Sequence, residues 1–438
     1  METKHLRTVV LGGASITWLP VFARDICESK TMDGGTLVIM DTDEKALATM
    51  AKLAAKAFRD KGKTIAVETT TDLRTALKGA DFVVNSVLVG GHATWKKELD
   101  LILQYGIQHP KGMSIGPGGM IMGIKQIPFI VQVAREMEQL APNGWLLNFS
   151  NPMQALTMAV QKTSRTRTIG LCHGFRHTIR LWANRLGVPE SELSYTAGGV
   201  NHFEMVTRLT HNGRDMFPAL VASFEESERT TGYTGESTTK EFYKLFGAWP
   251  TNFDIHVIEF LPWYIRKGVD VTRFHLEQNS IDKRLADRDK RWGEINDYIA
   301  GKKTMKELVP DKHSEHLDQI IDGIASNTPT VFYVNVMNKG YIRNLDDDVC
   351  VEVPVVLDRD GYVGCCVGEL PTGAMEISAM HGAVQRLVVD AALTGSRASC
   401  VKALSLDPMC FSLTLEERTR LVDGLIDMNR EYLPRFFA

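Results

Sequence analysis

RTVVLGGASITWLPVFARDICES, residues Arg7–Ser29, is a β-branched run that stops at two glycines and passes into a stretch of helical composition. Strand, glycine turn and helix in that order open a β-α-β unit. The alternation then repeats. TLVIMD leads to DEKALATMAKLAAKAFRDKG, IAVETT to a short helix around LRTALKG, and ADFVVNSV is followed by the helical KQIPFIVQVAREMEQLAP. GWLLNFSNP, another helix and TRTIGLC complete the series. Crossovers of this kind are right-handed and imply a parallel sheet with helices on both faces, an α/β, doubly wound architecture.

Ligands of such sheets sit beyond the carboxyl ends of the strands. Those ends carry Gly12, Gly13, Ser15, Asp41, Asn85, Ser86, Asn148 to Asn151, and Cys172 with His173. LGGASITW lacks the full G-x-G-x-x-G spacing, but its small residues let the backbone approach a pyrophosphate at the next helix's N-terminus. Asp41 ends the second strand, where a carboxylate accepts hydrogen bonds from a ribose and repels a 2′-phosphate, which favours NAD over NADP. The plainer alternative is a glycine turn beside a solvated aspartate. Gly12, Gly13, Ser15, Asp41, Asn85 and Ser86 form the expected cofactor-binding set of a Rossmann-like domain over residues 1–195.

The second half is less regular. AGGVNHFEM follows the strand-like LSYT, and PTNFDIHVIEFLPWY lies between mainly helical stretches. DDVCVEVPVVLDRDGYVGCCVGEL alternates like antiparallel strands about the turn DRDG, with helices expected from Gly373 to Asn429. Residues 196–438 therefore read as a mainly helical α+β substrate and oligomerisation domain. Its small antiparallel sheet is expected to pack on the first half.

Composition excludes several classes. A 44% hydrophobic, 24% charged chain builds an ordinary globular core, and a net charge of −3 gives no overall pull towards nucleic acid or an anionic membrane. No segment nears the roughly 20 apolar residues of a bilayer span. The first apolar run is too short for a secretory signal. Seven irregularly spaced cysteines argue for a reducing compartment rather than a disulfide framework. A cytoplasmic protein acting on a small molecule is expected.

GPGG (Gly116–Gly119), NFSNPM, GLCHG, GVNHF, DIHVIEFLPWY and NVMNKGYIRNLDDDVCVEVP occur in the order and spacing of glycoside hydrolase family 4. The chain resembles that family from Gly12 to at least Pro354, and SIGPGGMIMGIKQIPFIVQVAREM is most similar to its α-galacturonidase branch. The resemblance implies NAD⁺ and a divalent metal, commonly Mn²⁺, in place of the usual carboxylate pair. It implies oxidation of the sugar at C3 by hydride transfer to NAD⁺, loss of the C2 proton to a base, and elimination of the aglycone. Water then adds and the hydride returns, so the net reaction is hydrolysis. It also implies a homodimer or homotetramer.

By the same resemblance Cys172 and His202 are the protein's metal ligands. A thiolate and a neutral imidazole leave positions open for sugar hydroxyls and water. Read without the family, Cys172 is a small buried hydrophobe and His202 a satisfied core histidine. Asn151 corresponds to a sugar-contacting asparagine, although its NP pair is also a turn former. His173 stands where the phosphosugar branch has an aspartate, and either moves protons or binds substrate. Asp254 and His256 match a D-x-H-x-x-E-F pattern. Asp254 is the candidate base for the C2 proton, or else a cap for IHVIEFL. His256 is expected at the substrate.

Two departures bear on the sugar. Trp95 replaces an arginine, and GMSI replaces a glutamine-glutamate-threonine run before GPGG, both against a 6-phosphosugar. A C6 carboxylate would need positive charge, for which Lys96, Lys97, Arg176 and His177 are near in sequence. An α-galacturonide or α-glucuronide is the expected substrate, with an α-glucoside or α-galactoside as alternatives. A net NAD-dependent sugar dehydrogenase and an NAD-sensing protein without turnover are the readings from other classes.

Overall fold

The structure is a computed structural model that describes residues 5–261, 263–279, 281–310 and 315–438. β1 (Arg7–Leu11) pairs in parallel with β2 (Thr36–Met40) and β4 (Phe82–Asn85). β3 (Ala66–Thr70) extends the sheet beyond β2, while β5 (Trp145–Asn148) and β6 (Arg167–Gly170) extend it beyond β4. The order 3-2-1-4-5-6 is that of a dinucleotide-binding sheet. VVL, LVIM, FVV and WLL are nearly continuous apolar runs because helices cover both faces of these strands. AVETT, on the outer edge, is mostly polar and exposed.

The crossovers are α1 (Trp18–Glu28), α2 (Glu44–Asp60), α3 (Leu73–Leu77), α4 (Gly91–Gln104) with α5 (Gly116–Leu140), and α6 (Met153–Thr163). α7 (Gly174–Leu186) leaves the end of β6. Asp43 and Asp72 start α2 and α3 by accepting the backbone N–H of Ala46 and Thr75. GPGG is the first turn of α5. A Cβ at Gly118 or Gly119 would lie 2.8 or 2.4 Å from the backbone of Gly112 or Ser114, so the preceding loop folds flat onto the helix.

The second half does not form a separate small sheet. β7 (Leu193–Val200), β8 (Phe203–His211), β9 (Arg214–Asp215), β10 (Trp249–Pro250), β11 (Thr330–Met337), β12 (Cys350–Leu357) and β13 (Tyr362–Gly364) continue the first one. β11 joins β6 antiparallel at Asn335 and Gly170, and the order proceeds β12, β7, β8, β10. The expected packing of one sheet on another is thus replaced by edge addition. β6 lies buried at a sheet edge and its backbone groups need a partner, which β11 supplies. The division at 195/196 falls inside β7, so this strand belongs whole to the second half.

The remaining helices are α8 (Phe217–Thr231), α9 (Ser237–Phe246), α10 (Phe253–Val257), α11 (Ile281–Ile299), α12 (Met305–Leu308), α13 (Leu317–Ala325), α14 (Ala374–Thr394), α15 (Arg397–Leu406) and α16 (Leu415–Met428). Each face of the sheet carries an apolar layer drawn from both halves. One joins Val10, Phe22 and Leu147 to Val334, Val351 and Ile377. The other joins Val9, Leu146 and Ile124 to Val384, Val388 and Leu425.

Candidate active site

At the carboxyl ends of β1 and β2, Gly12 and Gly13 both donate to the Met40 carbonyl, at 3.1 and 3.0 Å. Gly12 is left-handed at φ +78°, and a Cβ at Gly13 would sit 2.1 Å from the Ile39 side chain. Only glycines allow this close turn. Asp41 accepts the Ala14 N–H at 3.0 Å and the Thr42 N–H at 2.7 Å, which ties the turn to the second strand. Ser15 Oγ accepts from Trp18 N at the start of α1. Asn85 and Ser86 stand at the same rim, but their side chains are engaged within the protein. Asn85 bonds Asn148 and Ser86 bonds the Leu11 carbonyl.

Cys172 and His202, 30 positions apart in the chain, are linked through Asn252 and Glu204. Asn252, held in the left-handed region at φ 75°, turns its Oδ1 towards Cys172 Sγ at 3.9 Å. Its Nδ2 donates to Glu204 Oε2, and Glu204 Oε1 accepts the His202 N–H at 2.9 Å. Gly174 admits this arrangement, since a Cβ there would lie 1.5 Å from Asn252 Oδ1. His202 is itself at φ 67°, a strained backbone of the kind that collects at functional sites. Its Nδ1 lies 2.8 Å from Ser114 Oγ, which leaves Nε2 free as a ligand, and its ring lies tilted against that of His256 at 4.1 Å.

Electrostatics favours a cation here. Burial lowers His202 to about 3, with the charges of His173 and Lys111 adding to the effect, so the imidazole is neutral and ready to coordinate. His256 is likewise held neutral by burial. Burial, then Glu352 and Glu204, raise the Cys172 thiol well above its ordinary range. The thiolate therefore lacks a compensating charge, which a divalent ion would supply. Among the described residues no three His, Cys, Asp or Glu side chains form a closed metal cage. The donor set fits an open site in which substrate and water complete the shell.

Beneath the pair lie residues that the sequence reading missed. Glu204 and Glu352 are fully buried side by side. Thr251 Oγ1 donates to Glu204 Oε2 at 2.6 Å, while Asn201 and Asn335 donate to Glu352 Oε2 at 2.8 and 3.1 Å. Glu352 Oε1 receives no donor. Burial, and then the neighbouring Glu204, raise Glu352 far above the carboxylate range, so Glu352 holds its proton. The available signal was a glutamate inside each of the buried strands FEMV and VEVPV.

His173 begins α7, half exposed, with Nδ1 3.0 Å from Glu315. Burial works against its charge, but the Glu315 carboxylate outweighs it and raises the imidazole. Asn151 Nδ2 reaches the Met113 sulfur at 3.4 Å, in the loop that also carries Ser114. Asp254 lies between Asn252 and His256 on α10 and is 1% exposed. Its Oδ1 accepts the Thr239 N–H at 3.0 Å, so it caps α9 and not IHVIEFL. Burial raises its carboxyl in spite of that bond. The four cations named from sequence do not converge. Lys96 pairs with Asp100 at 2.7 Å, Lys97 is exposed, Arg176 lies 3.6 Å from Glu190, and His177 meets Phe253 edge-on.

Residues 7–187 match the family 4 glycosyl hydrolases, and residues 197–410 match the C-terminal domain of the same family. An α-galactosidase of Bacillus subtilis (strain 168) is 25% identical, over 97% of this chain and 98% of its own. An α-galacturonidase of the same organism is 27% identical over 92% and 93%. Among solved structures, a 6-phospho-α-glucosidase from gut microorganisms in complex with NAD and Mn²⁺ superposes with a TM-score of 0.84. It is 22% identical and covers 98% of this chain and 99% of that one. With both halves matched in order, the chain belongs to the family 4 glycosyl hydrolases and is a glycoside hydrolase.

Proposed function

We propose that the enzyme hydrolyses an α-glycosidic bond by transient oxidation of the sugar, with NAD and a divalent ion such as Mn²⁺, and that its substrate is an α-galacturonide or α-glucuronide. The observation that supports this is the half-buried Cys172 thiol without a counter-charge, linked through Asn252 and Glu204 to a neutral His202. When bound, NAD⁺ supplies a reversible hydride acceptor for C3, and the metal ion a Lewis acid for the C2 and C3 oxygens.

The chain's own residues do the rest. The Gly12–Gly13 backbone and the start of α1 receive the pyrophosphate, with Asp41 at the ribose. Cys172 and His202 hold the ion. Asn151 and His256 contact the sugar. His173, raised by Glu315, holds a proton near the glycosidic oxygen. Asp254 accepts the C2 proton, and its burial makes its carboxylate a stronger base than a solvated one. The relatives named as α-galactosidase and α-galacturonidase support an α-linked substrate.

The test is a panel of aryl α-galacturonide, α-glucuronide, α-glucoside and α-galactoside in D₂O, with catalytic NAD⁺, Mn²⁺ and a thiol reductant. Hydrolysis with deuterium at C2 and no net NADH is the expected result. Unlabelled sugar would rule out elimination, and stoichiometric NADH would make the enzyme a dehydrogenase. Cys172→Ser should abolish turnover and Mn²⁺ binding while leaving NAD affinity intact.

A further inference from the structure

The loop from His109 to Ser114, which leads from α4 to α5, is held by side chains that the mechanism does not use. Chief among them is Glu259, the glutamate of the DIHVIEF stretch. It sits in the short 3₁₀ turn after α10 and is 1% exposed. Its Oε1 accepts the backbone N–H of Lys111 at 2.8 Å and of Gly112 at 2.9 Å, and lies 3.1 Å from His109 Nδ1. His109 Nε2 accepts the Gly118 N–H at 3.3 Å, so the proton of this ring is on Nδ1 and is donated to Glu259. One buried oxygen thus takes three donors from a single loop.

Other contacts complete the clamp. Asn279 donates its backbone N–H to the His109 carbonyl and its Nδ2 to the Lys111 carbonyl, each at 2.7 Å. Trp95 Nε1 donates to the Gly112 carbonyl at 3.2 Å, and Gln385 Nε2 on α14 to the Ser114 carbonyl at 2.8 Å. The far end of the loop reaches the site, with Ser114 Oγ 2.8 Å from His202 Nδ1 and Met113 Sδ 3.4 Å from Asn151 Nδ2. His256, three residues before Glu259, places its ring 4.1 Å from that of His202. Both contacts of the His202 ring therefore come from segments that Glu259 ties to each other. A metal-ligating histidine takes its orientation and its tautomer from the partner of its other nitrogen.

We propose that Glu259 is a positioning residue of the active site, which holds the His109–Ser114 loop so that Ser114 Oγ stays on His202 Nδ1. The ring proton is then kept on Nδ1, and Nε2 is the nitrogen offered to a ligand. The inference rests on the reading of His202 as a metal ligand and assigns the device that orients it. The path runs from Glu259 through the loop backbone to Ser114 and then to the imidazole. Glu204 accepts the His202 backbone N–H, so two buried glutamates fix separate parts of one residue. Without the Glu259 carboxyl, three buried donors would lose their acceptor, a penalty that the loop relieves only by moving. Ser114 would move with it.

The experiment measures Mn²⁺ and NAD⁺ affinities by calorimetry, and the ¹⁵N ring signals of His202 in the metal-free protein. Wild type is compared with Ser114→Ala, Glu259→Ala, Glu259→Gln and the Ser114→Ala/Glu259→Ala double variant. Wild type should show one His202 tautomer, with its proton on Nδ1. Ser114→Ala removes a single hydroxyl. It should mix the tautomers and weaken Mn²⁺ binding by about 10- to 100-fold at unchanged NAD⁺ affinity, the usual effect of removing the partner of a metal ligand. Glu259→Ala should do the same, and the double variant should lose no more than Glu259→Ala, because both substitutions cut one path. Glu259→Gln, whose amide oxygen accepts the same three N–H groups, should restore most of the Mn²⁺ affinity and the single tautomer. Should Glu259→Ala not fold, Glu259→Asp, which withdraws the carboxyl from the loop, takes its place in the comparison. Additive losses in the double variant, or His202 signals that follow Ser114→Ala but not the Glu259 variants, would overturn the role of Glu259. A wild-type ring proton on Nε2 would overturn that of Ser114 as well. A wild type that binds no Mn²⁺ would overturn the metal reading alone, since the ring signals are read without metal.

Discussion

Glu204 is needed as an acceptor at both oxygens. His202 N–H donates to one, and Thr251 and Asn252 donate to the other. An amide would turn donors against donors, so Glu204→Gln should release His202 and Asn252 together. We expect a 10- to 100-fold loss of Mn²⁺ affinity by calorimetry, as for other supports of metal ligands, and about 1–3 kcal/mol of stability lost. Glu352 behaves oppositely. Its protonated carboxyl already presents one donor and one acceptor edge, which glutamine reproduces, so Glu352→Gln should leave metal affinity and Tm nearly unchanged. Comparable damage from both substitutions would show that Glu352 is ionised.

At the scale of elements, the start of α9 gathers two buried acids. Asp254 caps it, and Glu236 accepts the Thr239 hydroxyl at 2.5 Å and the Trp249 indole N–H at 3.1 Å. Asp254→Asn keeps an oxygen for the Thr239 N–H but removes the proton acceptor. Turnover should fall by about 10²- to 10⁴-fold, the range of a lost general base, at nearly constant Tm. Retained turnover would assign Asp254 to α9 alone. Burial raises Glu236 from 4.5 to about 8. Between these values the folded chain keeps a proton that the unfolded chain has lost, so stability falls as pH rises, by up to about 1.4 kcal/mol per unit. Urea titrations from pH 5 to 8 should show a shallower decline for Glu236→Gln than for wild type.

Across the whole molecule, the two halves share one sheet and both apolar layers. Far-UV circular dichroism and tryptophan fluorescence should therefore report one coincident thermal transition, displaced upward by NAD⁺ in proportion to ligand excess. Two separated transitions would mean that the halves fold independently. Among the described residues no helix is long and apolar enough to cross a membrane.

The alternation of strand and helix from β1 to β6 was legible in the sequence because apolar runs, glycine turns and capping aspartates are local signals. RTVVLGG, TLVIMD and GWLLN each announce their strand, and β12, DRDG and β13 appear as the hairpin that the alternation predicts. The motif order in turn named the family. The sequence did not reveal that β11 would join β6, because antiparallel edge pairing is settled by backbone groups 165 positions apart that carry no side-chain code. Nor did it show that Lys96 and Arg176 would face the carboxylates of Asp100 and Glu190. Residue types and their local periodicity were thus determined by the chain alone. Which charges were paired, and which thiol came to share a hydrogen-bond chain with which histidine, was decided by packing, because burial and the choice of partners are properties of the assembled core.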